Sequence, residues 1–165
     1  MNKRTFLKKI RYRREHWEST IDTIINRGLE RELCSKNWRI KDVIAHITWY
    51  DKNILEALKN KSIVGSEFWN MSIDDRNEMI FNETQNMTLN EVLKVSKNTF
   101  NSLILSIEDM SDEELNSDDF IQRKEKRITW DFIGAGNFWH YEDHEDALIE
   151  RFNLDYGLLK EEQKR

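Results

Sequence analysis

Three observations predict an all-α fold built as a four-helix bundle. The 165-residue chain has no proline and five glycines, so the two residues that most often interrupt helices are nearly absent. No alternating run of β-branched residues is long enough for a convincing strand. Four long segments carry apolar side chains at helical spacing, and each must bury that stripe against another element.

The first helix is expected from about Lys3 to Arg27, with Gly28 as its stop. Its opening turns hold Lys3, Arg4, Lys8, Lys9, Arg11, Arg13 and Arg14 and no acid before Glu15. No apolar run follows these charges as in a secretory leader. The stripe Phe6, Ile10, Trp17, Ile21, Ile24 continues past them, so they read as a solvated helix face. Glu30 to Asn37 reads as a connector. A second helix starts near Arg39 and runs to about Lys59, burying Val43, Ile44, Ile47, Ile54 and Leu58. Phe68, Trp69 and Asn70 read as an aromatic loop.

Ser72, with Asp75 three residues on, caps a short helix to about Glu83. Thr88 and Glu91 form a clearer capping box for a third long helix to about Glu108, with Val92, Val95, Thr99, Phe100, Leu103 and Ile107 on its apolar side. Ser111 and Glu114 start one more turn, and the polar stretch 116–127 reads as a long loop. Thr129 is expected to cap a last helix running unbroken to about Asn153, with Gly134 and Gly136 allowing close helix approach. The charged tail after Gly157 is expected to fray. Length and pattern fit one domain over residues 1–165.

A net charge of −5 gives no global attraction to nucleic acid or anionic membrane. No apolar run approaches membrane-spanning length. The single cysteine, Cys34, excludes an internal disulfide framework and fits a reducing, cytoplasmic setting.

Function is most legible in Trp139-His140-Tyr141-Glu142-Asp143-His144-Glu145. Two of the four histidines lie four residues apart here, one turn apart on one helix face. His46, at the edge of the second helix's stripe, supplies a third imidazole if the two faces meet. Three histidines leave coordination positions for water or substrate. Tyr141 stands where a zincin helix needs glutamate, and no Glu-x-x-His motif exists for a di-iron carboxylate site. Spacing alone leaves two readings open, a three-histidine metal site and a histidine pair met by chance. His16, beside Trp17, reads as structural or solvated.

The segment Trp38-Arg39-Ile40-Lys41-Asp42-Val43-Ile44-Ala45-His46-Ile47 resembles the second-helix signature of the DinB-like superfamily, and His140-x-x-x-His144 is similar to its second signature. Their order and separation also fit, so the resemblance covers nearly the whole chain. It implies an up-down-down-up bundle whose divalent metal (zinc, nickel, iron or manganese) is held by His46, His140 and His144. Arg39 departs from the Ser or Thr usual at the N-cap, a loss of about 1 kcal/mol unless Asn37 or Ser35 substitutes.

Around this site, Trp49, Tyr50 and Trp139 either wall a substrate cleft or are plain core. Asn137 shares the histidine face, and Arg76 with Asn77 covers the cleft mouth and binds an anionic group; Asn137 and Arg76 are the catalytic candidates. Asp143 either orients an imidazole or belongs to a solvated acidic face. The resemblance implies a metal-dependent transferase or isomerase using a low-molecular-weight thiol, with metal-assisted hydrolysis as a near variant. Two further readings are a non-enzymatic stress-protective binder, its tryptophans lining a cavity for a small molecule, and a homodimeric module pairing through Ile10, Trp17 and Ile24.

Overall fold

The computed structural model describes residues 1–35 and 37–154, so the expected fraying after Gly157 lies outside the described residues. The chain is predominantly helical, as predicted. Helix α1 spans Lys3–Asn26 and α2 Ile40–Asn60. A single turn, α3 Glu67–Asn70, comes next; α4 Ile73–Thr84, the long α5 Leu89–Glu108 and the short α6 Asp112–Asn116 then follow the capping signals. Helices α7, Thr129–Gly136, and α8, Phe138–Phe152, complete the order.

Local chemistry placed most ends correctly. Ser72 Oγ accepts from the Asp75 amide at 3.1 Å, and Thr88 with Glu91 and Ser111 with Glu114 form reciprocal capping boxes. Gly28, at φ +71°, takes the left-handed conformation that ends α1. Arg39 itself occupies the N-cap of α2. Neither Asn37 nor Ser35 replaces it; Asp42 accepts from the Arg39 amide at 2.9 Å, so half of a capping box survives without a hydroxyl cap.

Four expectations need correction. The 30–37 connector contains a strand, β1 Leu33–Ser35, paired antiparallel with β2 Trp38–Arg39; the ladder is too short to show periodicity. Phe68, Trp69 and Asn70 belong to the single turn α3, capped by Ser66, rather than to a loop. Ile128, not Thr129, is the N-cap of α7; the Thr129 hydroxyl instead donates to the Ser117 carbonyl at 2.9 Å. The last helix is not continuous: it breaks at Asn137, whose φ −121° and ψ −100° are far from helical.

Two glycines in close contact with their neighbours precede the break. A Cβ on Gly134 would lie 2.7 Å from the Phe138 ring, and one on Gly136 would lie 2.8 Å from Ile54 Cδ1. The glycines therefore let the Phe138 ring lie against α7 and let α2 approach closely.

The core forms two adjoining apolar clusters. Phe6, Ile10, Ile54, Leu103, Ile133 and Phe138 mark one; Trp17, Ile24, Ile44, Ile47, Tyr141 and Ile149 mark the other. Trp69 packs against both. Ile10, Trp17 and Ile24 are at most 1% exposed, so the seam suggested for dimerisation is consumed inside the molecule.

The basic face of α1 is only partly solvated. Lys3 donates to the Glu108 and Met110 carbonyls at the end of α5, Arg13 pairs with Glu142 and Glu145 of α8, and Arg14 is buried. These charges clamp α1 to its neighbours. No helix of the described residues is long and apolar enough to cross a membrane.

Candidate metal centre

The break at Asn137 resets the register of α8, which presents different residues to two environments. His140 and His144 face α2, where they meet His46. His46 Nε2 lies 2.8 Å from His140 Nε2, which lies 3.1 Å from His144 Nε2. The three possible ligand atoms all fall within 4.8 Å of one another, close enough to bind one metal ion.

These separations fit the donor chemistry. Imidazole nitrogens about 2.0–2.1 Å from a tetrahedral ion stand about 3.3 Å apart, so small rotations would open the cluster around one. His46 is nearly buried and its Nδ1, like that of His140, has no hydrogen-bond partner. A metal-bound histidine usually donates its other ring N–H. Asn77, whose Oδ1 is also buried and unpartnered, stands beside His46, and the Gly136 carbonyl stands beside His140.

Burial pushes the His46 pKa down to about 2, with His140 and His144 adding to the effect and Asn77 opposing it. Burial and His144 push His140 to about 3, against the Gly136 carbonyl. His144 is also lowered by burial, with Asp143 opposing. The imidazoles are therefore neutral near neutral pH, the form that coordinates metal.

The triad opens on a cleft of about 460 Å³, where Trp38, Tyr50, Trp69 and Phe132 form the aromatic lining and Arg76, Asn77 and Arg127 add polar groups. The β1–β2 ladder brings Trp38 to 5.2 Å from the His46 ring, centroid to centroid. Tyr50 lies 4.5 Å from His140 in the same measure. Arg76 is fixed by donating to the Phe68 and Trp69 carbonyls at 2.8 and 3.2 Å. Tyr50 and Arg76 thus both line the histidine cleft.

The other sequence candidates sit elsewhere. Trp49 donates from Nε1 to Glu83 at 2.8 Å and lines a separate cleft. Trp139 stacks near Trp130 and Phe138, under Lys9. Asn137 is 1% exposed and donates to Asp51 Oδ1 at 2.6 Å, away from the cleft lining. Asp143 is exposed. His16 stacks on Tyr12 at 4.2 Å, apart from the triad. Of the tryptophans, only Trp38 and Trp69 line the histidine cleft, while Trp17 is core. Cys34 has its thiol pushed up to about 11 by burial, unsuited to a free nucleophile.

Sequence reasoning missed Trp38 as cleft wall, although it lies within the quoted motif, and missed Phe132 and Arg127. The ladder and the packing of α7 against α2 that bring them together are nonlocal.

Fold and site together define a predominantly helical protein with a three-histidine cluster suited to one metal ion. A Streptococcus pneumoniae protein, solved by crystallography as a structural genomics target, matches with a TM-score of 0.79 over 93% of this chain and 92% of its own, at 13% identity. At that identity the likeness shows the fold alone. No family model matches the chain, and no curated protein matches it significantly.

Proposed function

We propose that the chain is a metal-dependent enzyme of the DinB-like superfamily, a four-helix bundle of up-down-down-up order that acts on small electrophiles. The convergence of His46, His140 and His144 on an open aromatic cleft carries this reading. A divalent cation held there supplies the Lewis acidity that ionises a small thiol or water near neutral pH. His46, His140 and His144 would hold such a cation, and all three line the cleft that would admit the reactants. Tyr50, Trp38 and Trp69 bound the space in which an apolar portion of the electrophile lies. Arg76, anchored by two carbonyls, presents positive charge at a fixed place in the wall. Attachment of thiol to an electrophile is detoxification chemistry; hydrolysis is its near variant.

Elemental analysis of untagged protein tests the first step. One divalent metal per chain is expected in the wild type and none in His140→Ala. A wild type free of metal, or a metal-free protein that keeps full turnover, would sink the reading. The alternative, a non-enzymatic protective binder, predicts tight ligand binding by metal-free protein without turnover. It draws little from the tryptophans, because most of them do not reach the cleft.

A further inference from the structure

The wall of the metal cleft is also the wall of a second cavity. Trp69, Arg76, Arg127 and Phe132 line both. The second cavity has a volume of about 660 Å³ and reaches into the loop between α6 and α7. Its charged lining comprises Arg76, Arg123, Lys124, Lys126 and Arg127 against Glu125 alone. This concentration of cations is unexpected in a chain whose net charge is −5.

Neighbouring acids neutralise part of the surplus. Lys126 pairs with Asp118 and Asp119 at 3.6 and 3.0 Å, and Arg127 pairs with Asp131 at 2.5 Å. Arg76 is engaged by backbone carbonyls.

Arg123 is different. Its Nε donates to the Glu125 carbonyl at 3.0 Å, and its guanidinium carbon lies 5.2 Å from the Phe132 ring centre. Both terminal nitrogens, Nη1 and Nη2, are buried without any hydrogen-bond partner. Burial and the nearby Arg127 disfavour its charge, with Asp118 and Asp131 only partly opposing. A buried guanidinium edge with two unmade charge-assisted bonds is costly unless something completes it. Its fork geometry matches the two oxygens of a carboxylate or phosphate.

We infer that this cationic cavity is an oxyanion subsite, in which the Arg123 guanidinium turns its covered Nη1–Nη2 edge toward the cavity and, aided by Lys124 and Arg127, binds a carboxylate or phosphate group of a small-molecule substrate whose reacting end lies in the adjoining histidine cleft. The link to a reacting end rests on the metal-enzyme reading; the anion subsite does not. The substrate class is thereby narrowed to small molecules bearing an anionic group apart from the reacting atom, with an apolar or planar segment passing Trp69 and Phe132.

The test is calorimetric titration of inorganic pyrophosphate and, separately, succinate into metal-free protein, so that the probe is not lost to chelation. Wild type should show saturable binding of at least one probe that weakens as salt rises. Arg123→Gln and Lys124→Gln should each weaken it, Arg123→Gln by at least tenfold, with unchanged circular dichroism and thermal midpoint. Lys124 serves as the second variant because its exposed side chain can change without disturbing the Phe132 packing. The remote, exposed Lys94→Gln should bind as wild type does. His140→Ala should keep anion binding while losing metal, so failure of the metal reading shows in metal content alone. Absence of saturable binding by both probes would overturn the subsite. So would binding that survives in Arg123→Gln and Lys124→Gln, or binding lost in His140→Ala but kept in Arg123→Gln, which would place the anion on the histidines.

Discussion

Two polar clusters lie on different faces of α8, one residue and so about 100° out of step. His140 and His144 turn toward the cleft; Tyr141 and Glu145 turn toward the core. On the core side bonding is nearly complete. Tyr141 Oη donates to Asp51 Oδ2 at 2.6 Å and accepts from Arg14 at 2.8 Å; Arg14 also donates to Ser96 at 3.0 Å. Asn137 donates to Asp51 Oδ1, and Glu145 accepts from Thr20 at 2.6 Å and from Arg13 at 3.3 Å. On the cleft side the imidazoles mostly face one another, and the Nδ1 atoms of His46 and His140 have no partner. A buried polar group that is bonded specifies a fold, whereas one left unbonded in a cleft marks a place for a ligand. The core network ties Asn137 and the first turns of α8 after the break to α1, α2 and, through Arg14, to α5. It thereby positions the histidines without touching the cleft.

This contrast can be broken from either side. The largest effect is expected at His140, which contacts both other imidazoles: His140→Ala should lower metal affinity by more than the roughly 10–100-fold typical of losing a partner behind a ligand, read by competition with a chelating dye. On the core side, Tyr141→Phe removes a bridge between a buried carboxylate and a buried guanidinium. It should cost about 2–3 kcal/mol in urea unfolding, with a smaller fall in metal affinity than His140→Ala. If Tyr141→Phe lowered affinity as much as His140→Ala, the two faces would not be separable.

Gly134→Ala drives a methyl group into the Phe138 ring, so about 1–3 kcal/mol of destabilisation is expected by thermal unfolding. The Gly136 contact is with the end of the Ile54 side chain, which can move, so Gly136→Ala should cost less. Smallest of all, Trp49→Phe should leave metal affinity within about twofold of wild type, because Trp49 lies outside the histidine cleft.

The two clusters also respond oppositely to pH in metal-free protein. The folded-state pKa values of His46 and His140 are about 2 and 3, below the unfolded value near 6.5. The unfolded chain therefore binds more protons as pH falls below about 6.5, and stability is lost progressively toward the folded values. Asp51 runs the other way: burial raises it to about 6, against bonds from Tyr141 and Asn137 and the charge of Arg14, so the folded state takes up a proton between about 6 and 3.8 and regains stability. Two strongly lowered histidines outweigh one raised carboxyl. The thermal midpoint should fall from pH 7 to pH 5, and the fall should be shallower in His140→Ala. A midpoint that rises over this interval would reverse the assignment.

Sequence alone determined the local features, because each depends on residues within one or two turns. Ser72, Thr88 with Glu91, and Ser111 with Glu114 mark helix starts through bonds spanning three residues, and Gly28 marks an end through its own φ angle. The His140–His144 pair was visible because helical geometry converts a spacing of four into a shared face. His46 was legible only through the motif Trp38–Ile47, since spacing says nothing about which helices meet.

Tertiary structure alone decided the rest. The break at Asn137 arises where two glycines meet Phe138 and Ile54, and nothing local distinguishes them from glycines tolerated within a continuous helix. Asp51, Tyr141 and Arg14 occur on three helices, and only packing makes them one network. Trp38 reaches the cleft through a two-strand ladder, and Arg123 lies against Phe132 across a loop with no periodic signal. Helix caps and faces are short-range consequences of backbone geometry; which faces enclose the histidines, and what remains unpaired beside them, follows from contacts between residues far apart in the chain.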